Sequence, residues 1–506
     1  MRKVWINLAA VLVFGLLSGC KYRSTAETTQ MQAEKKPNVI YVLADQWRAQ
    51  ATGYNGDPNL IGKTPNLDQM ARQGIQFRNA ISVCPVCTPY RAALLTGQYP
   101  TTTGMFFNDL QLPPESLTMA KLFKESGYRT CYIGKWHLDG MGRDQFTPPE
   151  RRQGFDYWKA LECSHDYQHL IYYEGDSDVK KLWEGYGPYA ETEDAISYIR
   201  QNARSEEPFL MVLALGTPHF PHHSAPVDLL QEFIEADIIL RDNVSEAMVE
   251  SAKKESVGYY AHILALDSCM GMLQKAMDES GISHNTILVF TSDHGEMMGS
   301  QGIRPKQKQV PWAESVRVPF LLSYPAKFGN RGIVVDVPLN TPDILPTLLS
   351  LTNLPVPETI EGENMAGAIE NQEAFADRAA LFMNVSHFAG KGKEYRGIYT
   401  DRYTYVKSLE GPWLLYDHQN DPLEMNNLAG KPGFEALQEE LESMLQRELK
   451  KVEDPFRPRQ YYIDKWGYRL GEGGHIPYYF EEDLSSGDSR GIKFQGPELN
   501  KRYRKE

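Results

Sequence analysis

The chain has 506 residues, which suggests two domains or one large domain with a satellite, and its 42% hydrophobic and 11% aromatic content is enough to bury a substantial core. Its formal net charge of -13 argues against broad electrostatic capture by nucleic acid or by anionic lipid. An anionic substrate would therefore have to be received by positive charge gathered locally in a pocket.

Arg2 and Lys3, the apolar run Leu8 to Leu17 and the small residues Ser18 and Gly19 read as a secretory signal peptide over residues 1–19. The run is too short to span a bilayer comfortably. Leu17-Ser18-Gly19-Cys20 resembles the bacterial lipobox, which implies that Cys20 becomes the acylated first residue of an exported lipoprotein. Its only tie to the membrane would be that lipid anchor, in the periplasm or at the cell surface of a Gram-negative bacterium. An ordinary signal peptide with an incidental cysteine is the alternative. Residues 20–36 are polar and read as a tether.

Beyond the tether the pattern alternates. Asn38 to Leu43 is a continuous apolar run, suited to a strand buried on both faces. A helix is predicted over 64–74, with Thr64-Pro65 at its start and Gly74 at its end. A second helix, Leu117 to Gly127, leads into a strand, Tyr128 to Ile133. Helix 189–203 precedes strand Pro208 to Ala214, helix 258–280 precedes strand Thr286 to Thr291, and strand Pro319 to Tyr324 precedes helix Pro342 to Leu351. Strands alternating with helices predict an α/β fold, a large mixed and mostly parallel sheet sandwiched by helices, over residues 37–375. Residues 376–452 change character. Tyr395 to Val406 and Trp413 to Tyr416 alternate as strands, Asp417 to Asp421 forms a turn, and Phe434 to Val452 is an amphipathic helix. These predict a smaller antiparallel sheet plus helix, followed by an extension, 453–506, that packs on the body.

With Cys20 assigned to lipid, Cys84, Cys87, Cys131, Cys163 and Cys269 remain. Export permits disulfides, but an odd count leaves one thiol for another purpose. Cys84 and Cys87 form a C-x-x-C with no second copy to complete a zinc site.

In α/β sheets, sites gather at the carboxyl ends of strands. The first strand delivers Asp45, and the next delivers Lys135 and His137 within Gly134-Lys135-Trp136-His137. Two more deliver His219, after Thr217-Pro218, and Asp293-His294-Gly295-Glu296. Any one of these would suit a solvated loop; four together suggest a site.

Cys87-Thr88-Pro89-Tyr90-Arg91, continuing to Thr96-Gly97, resembles the signature of the type I sulfatases. The strand-end motifs occur in the family's order, and the likeness runs over roughly residues 37–450. The resemblance implies an alkaline-phosphatase-like fold and a sulfuric ester hydrolase. It implies that a maturation enzyme oxidises Cys87 to formylglycine (3-oxoalanine), whose hydrate attacks sulfur. It also implies one divalent cation, Ca²⁺, held by Asp45, Gln46, Cys87, Asp293 and His294, since an anionic ester needs its charge screened and its nucleophile activated. Here the chain departs from the commonest pattern, with Gln46 in place of an aspartate and His294 where asparagine is frequent, so Mn²⁺ and Zn²⁺ stay open.

By the same resemblance Arg91 fixes the nucleophile, and Lys135 and Lys308 grip sulfate oxygens. Lys308 has the family's spacing before Trp312-Ala313-Glu314-Ser315-Val316-Arg317-Val318-Pro319, with Lys306 as a near competitor. His219 is the implied acid for the leaving alcohol and His137 the implied base.

The substrate expected is a sulfated polysaccharide or its oligosaccharides, with algal ulvan or carrageenan favoured and glycosaminoglycans open. His165, His222, His223, Trp183, Trp466 and the Tyr-rich tail are candidate sugar-subsite residues. The rival readings are a phosphodiester or phosphonate monoester hydrolase of the same superfamily, a lipoprotein that binds sulfated glycans without cleaving them, and a chain whose Cys87 stays an unmodified thiol.

Overall fold

Apolar runs make the central strands. In the computed structural model, which describes residues 35–387, 393–471 and 473–477, they lie side by side in a ten-stranded sheet. Cys20, nearly all of the tether and residues 478–506 lie outside the described residues. In chain order the sheet holds β1 Asn38–Asp45, β2 Ile75–Phe77, β3 Arg129–Lys135, β4 Tyr157–Leu161 and β5 Ile171–Glu174. It continues with β6 Lys181–Leu182, β7 Phe209–Pro218, β8 Thr286–Ser292, β9 Phe320–Ser323 and β10 Ile333–Val335. The spatial order is β10-β2-β9-β8-β1-β7-β3-β4-β5-β6. Its centre, from β8 through β1, β7 and β3 to β4, is parallel, while β9 runs antiparallel to both of its neighbours. The sheet is therefore mixed, as expected.

Alternate residues of β1 feed two separate cores. Val39, Tyr41 and Leu43 join a cluster with Leu94, Phe123 and Leu348, whereas Ile40, Val42 and Ala44 join one with Ile199, Ile263 and Leu273. Helices on both faces thus bury Val39 to Asp45 of β1, worth about 1.5–3 kcal/mol per large apolar side chain. One face carries helices Gly187–Asn202 and Val249–Glu279; the other carries Cys87–Thr96, Met119–Glu125 and Ile344–Leu351.

A second sheet is antiparallel throughout, with β11 Ala380–Asn384, β12 Tyr395–Tyr399, β13 Tyr403–Ser408 and β14 Gly411–Asp417 in that order. Helix Glu435–Lys451 accompanies it. After that helix, Tyr462, Ile463, Tyr468 and Ile476 join the main core, and Arg396 reaches Asp454 at 2.5 Å with both side chains fully buried.

Some boundaries differ for identifiable reasons. The run expected as one strand, Tyr395 to Val406, is a hairpin. The Thr400 hydroxyl accepts from the backbone N–H groups of Arg402 and Tyr403 and turns the chain. The helix expected from 258 begins at Val249, because its first turns bury little beyond Ala252 and so show no apolar period. β7 runs on to Pro218 instead of stopping at Ala214. All five cysteines from Cys84 onward are free and buried, so the fold uses no disulfide among the described residues.

Candidate active site

The expected strand ends do converge. Asp45 closes β1, Lys135 closes β3, His219 follows β7, and Asp293 and His294 follow β8. The turns are tight: Gln46 and His137 both adopt left-handed backbone, at φ 63° and 58°. Gly295 separates His294 from Glu296, and a Cβ there would stand 1.9 Å from the Glu314 carbonyl oxygen, so only glycine lets this loop pack against the short helix Ala313–Val316.

No helix is expected at Cys87 from the residue pattern, yet Cys87 is the first residue of a ten-residue helix, Cys87–Thr96. Its thiol therefore sits where backbone N–H groups and the helix dipole favour negative charge. Around Sγ stand His294 Nε2 at 3.4 Å, the ammonium groups of Lys135 and Lys308 at 3.7 Å each, and Asp45 Oδ1 at 3.9 Å. Single ligand atoms from Asp45, Cys87, Asp293 and His294 all lie within 4.8 Å of one another.

Arg91 holds the carboxylates. Its Nη2 donates to Asp45 and to Asp293, at 3.2 Å each, and its Nη1 donates to the Lys135 carbonyl at 2.7 Å. Lys135 Nζ adds a 2.6 Å contact to Asp45. Burial pushes the Asp45 carboxyl up, but Lys135, His219, Arg91 and His294 outweigh it and hold the group well below its ordinary range. Burial and Asp45 raise the Cys87 thiol, whereas Lys135 and Lys308 bring it below its ordinary value. Asp45, Asp293 and Glu296 balance Arg91, Lys135 and Lys308 in charge, so a bound divalent cation would make the pocket positive in a chain that is negative as a whole.

The donor set fits such a cation. His294 Nδ1 faces the Gly295 carbonyl at 3.1 Å, which commits its proton there and leaves the Nε2 lone pair toward the cluster. Burial first, with Lys308 adding, pushes His294 down to about 4, so the ring is neutral and able to ligate. Gln46 contributes a carboxamide; its Oε1 accepts from Lys308 Nζ at 3.1 Å.

Two imidazoles flank this centre. His219 Nδ1 bonds the Phe220 carbonyl at 2.8 Å, and its ring stacks on His165 with centroids 4.4 Å apart. Burial and then Lys308 push His219 well below its ordinary range. His137 Nε2 lies 2.8 Å from Asp109, and the His137 carbonyl accepts from the hydroxyl of Thr88, next to Cys87.

Geometry separates the two lysines. Lys308 faces Cys87, while Lys306 pairs with Glu255 at 2.8 Å, and Glu255 in turn pairs with His222 at the same distance. Of the candidate sugar contacts, His165 lies against His219 and His223 is exposed. Trp183 is buried, stacked on Tyr172 and bonded to Asp194, which makes it a packing residue. Trp466 packs against the main core over Gly104, and the tail beyond 477 lies outside the described residues. Sequence reasoning missed Asp109, for which no motif signals a role, and gave no role to Glu296, although it stands within a quoted motif.

The profile of the sulfatase family matches residues 37–354, and that of the N-sulphoglucosamine sulphohydrolase C-terminal region matches residues 306–451. An ulvan-active sulfatase of Formosa agariphila is 50% identical over 484 residues, covering 95% of this chain and 94% of its own. An endo-4-O-sulfatase of Bacteroides thetaiotaomicron is 31% identical, over 89% of this chain and 98% of its own. Among solved structures, the yidJ sulfatase of Bacteroides fragilis superposes with a TM-score of 0.77 at 29% identity, over 86% of this chain and 99% of its own.

Proposed function

This chain belongs to the sulfatase family and is a sulfuric ester hydrolase; from that premise we propose that it removes sulfate from ulvan or ulvan oligosaccharides. The likeness to the ulvan-active sulfatase along nearly the whole of both chains supports that substrate class. The observation that carries the chemistry is the Cys87 side chain at a helix start, with two lysine ammonium groups 3.7 Å away.

In this reading a maturation enzyme converts Cys87 to formylglycine, so that Sγ stands in for the oxygen functions of the working nucleophile. Asp45, Gln46, Asp293 and His294, with the modified residue 87, would hold a Ca²⁺ ion, which would lower the pKa of that oxygen and screen the sulfate charge. Lys135 and Lys308 grip the sulfate oxygens and neutralise charge as it develops. Arg91 keeps Asp45 and Asp293 aligned. His219 has its Nδ1 committed to the Phe220 carbonyl, so Nε2 carries the proton given to the leaving alcohol. A bound sulfate would raise the proton affinity of that ring, against burial and Lys308, which lower it. His137, oriented by Asp109, takes a proton from the nucleophile's second hydroxyl. Cys20 acylation and export to the periplasm or cell surface complete the proposal, placing the enzyme where polysaccharide fragments arrive.

The test is sulfate release from ulvan oligosaccharides, measured by ion chromatography with carrageenan and glycosaminoglycan oligosaccharides alongside. Release from ulvan alone or most strongly supports the substrate class; release only from the others overturns it. Turnover of a phosphodiester exceeding that of an aryl sulfate would favour the rival phosphodiester or phosphonate reading.

A further inference from the structure

Glu296 has no part in the chemistry above, yet it is fully buried and its carboxylate is engaged on both oxygens. Oε2 accepts from Gln46 Nε2 at 2.5 Å, and Oε1 accepts from the backbone N–H groups of Lys306 at 2.7 Å and Met298 at 2.9 Å. A carboxylate in this role only accepts, and an amide nitrogen only donates. The pairing therefore decides which end of the Gln46 carboxamide points which way. Nε2 goes to Glu296, and Oε1 is left facing Lys308 Nζ, itself 3.2 Å from His294 Nε2. The other end of the residue is held too, since the Gln46 backbone N–H donates to Asp293 Oδ1 at 3.1 Å.

We propose that Glu296 is the positioning residue that makes Gln46 an oxygen ligand for the divalent cation. A carboxylate at position 46 would offer oxygen however it rotated, whereas an amide can present the wrong atom. Glu296 removes that choice by capturing the nitrogen. The inference rests on the cation reading of the same site.

Glu296→Gln tests it with almost no change of volume. The two backbone donors keep the side-chain oxygen of residue 296, so the new NH₂ faces the NH₂ of Gln46. Two donors cannot pair, and Gln46, whose amide has no backbone partner among the described residues, turns its nitrogen toward Lys308 and the cation. The exchange variant Gln46→Glu/Glu296→Gln restores the geometry with donor and acceptor swapped and total charge unchanged.

The readout is Ca²⁺ affinity of the chelator-stripped full-length protein, by calorimetry and by the shift in Tm with added Ca²⁺. Glu296→Gln is expected to weaken binding by about 10–100-fold, and the exchange variant to recover most of it. A merely structural role would lower the cation-free Tm and leave the Ca²⁺ affinity of folded Glu296→Gln unchanged. Wild-type affinity in Glu296→Gln, or an exchange variant no better than the single one, overturns the proposal. If Glu296→Gln does not fold, the exchange variant is compared with Gln46→Glu, whose two carboxylates face each other: an exchange variant that folds and binds Ca²⁺ more tightly than Gln46→Glu supports the pairing, and one that does not refutes it. A wild-type protein that binds no Ca²⁺ fails the cation reading itself, so the two failures are distinguishable.

Discussion

Replacing His219 with Gln should separate sugar sulfates from activated aryl sulfates. The His219 ring has one nitrogen tied to the Phe220 carbonyl at 2.8 Å and is held flat against His165, so a single nitrogen can exchange a proton with substrate. A sugar alcohol is a poor leaving group and needs that proton as the ester bond breaks; 4-nitrophenolate leaves without it. General acid catalysis contributes about 10²–10⁴-fold, which corresponds to about 2.7–5.4 kcal/mol of transition-state stabilisation. His219→Gln should therefore lower kcat/KM for a sulfated oligosaccharide by that factor and lower it by less than about 10-fold for 4-nitrophenyl sulfate. The assay compares kcat/KM for both substrates in wild type and variant, at one pH and one Ca²⁺ concentration. Equal losses on the two substrates would falsify the assignment and make His219 a binding residue.

Three further outcomes follow from the geometry. Cys87→Ala should fold normally and lose turnover, and tryptic mass spectrometry of the wild-type peptide should show a loss of about 18 Da at Cys87; an unmodified thiol in active protein would refute the formylglycine reading. Lys308→Ala should cost about 100-fold or more in kcat/KM, while Lys306→Ala, whose ammonium is engaged by Glu255, should cost far less; steady-state kinetics that reverse this order would reassign the second lysine. Asp454→Asn should leave the Arg396 guanidinium buried without its charge partner and destabilise the fold by about 3–5 kcal/mol. Burial raises the Asp454 carboxyl, but Arg396 outweighs it and holds it below its ordinary value. The stabilisation is therefore present above about pH 4 and lost as pH falls through the folded-state value. Urea unfolding of wild type and variant at pH 7 and at about pH 2 reads it, and a variant as stable as wild type at pH 7 would count against a paired, buried charge there.

The primary structure by itself carried the parallel sheet and most of the centre. Continuous apolar runs end on Asp45, Lys135, His219 and Asp293 because strands buried on both faces must be apolar and must stop where polar chemistry begins. The spacing of Cys87 and Arg91 within their motif was equally legible. What only the tertiary structure decided was pairing across loops that have no period. Asp109 reaches His137 from 28 positions away, Glu296 reaches Gln46 from 250, and Lys308 rather than Lys306 turns to Cys87. Those contacts depend on how the ends of β1, β3 and β8 are brought into register and on the tight turns that follow them. A local window of residue types contains neither, and so the residues that orient the chemistry emerge only once the sheet has formed.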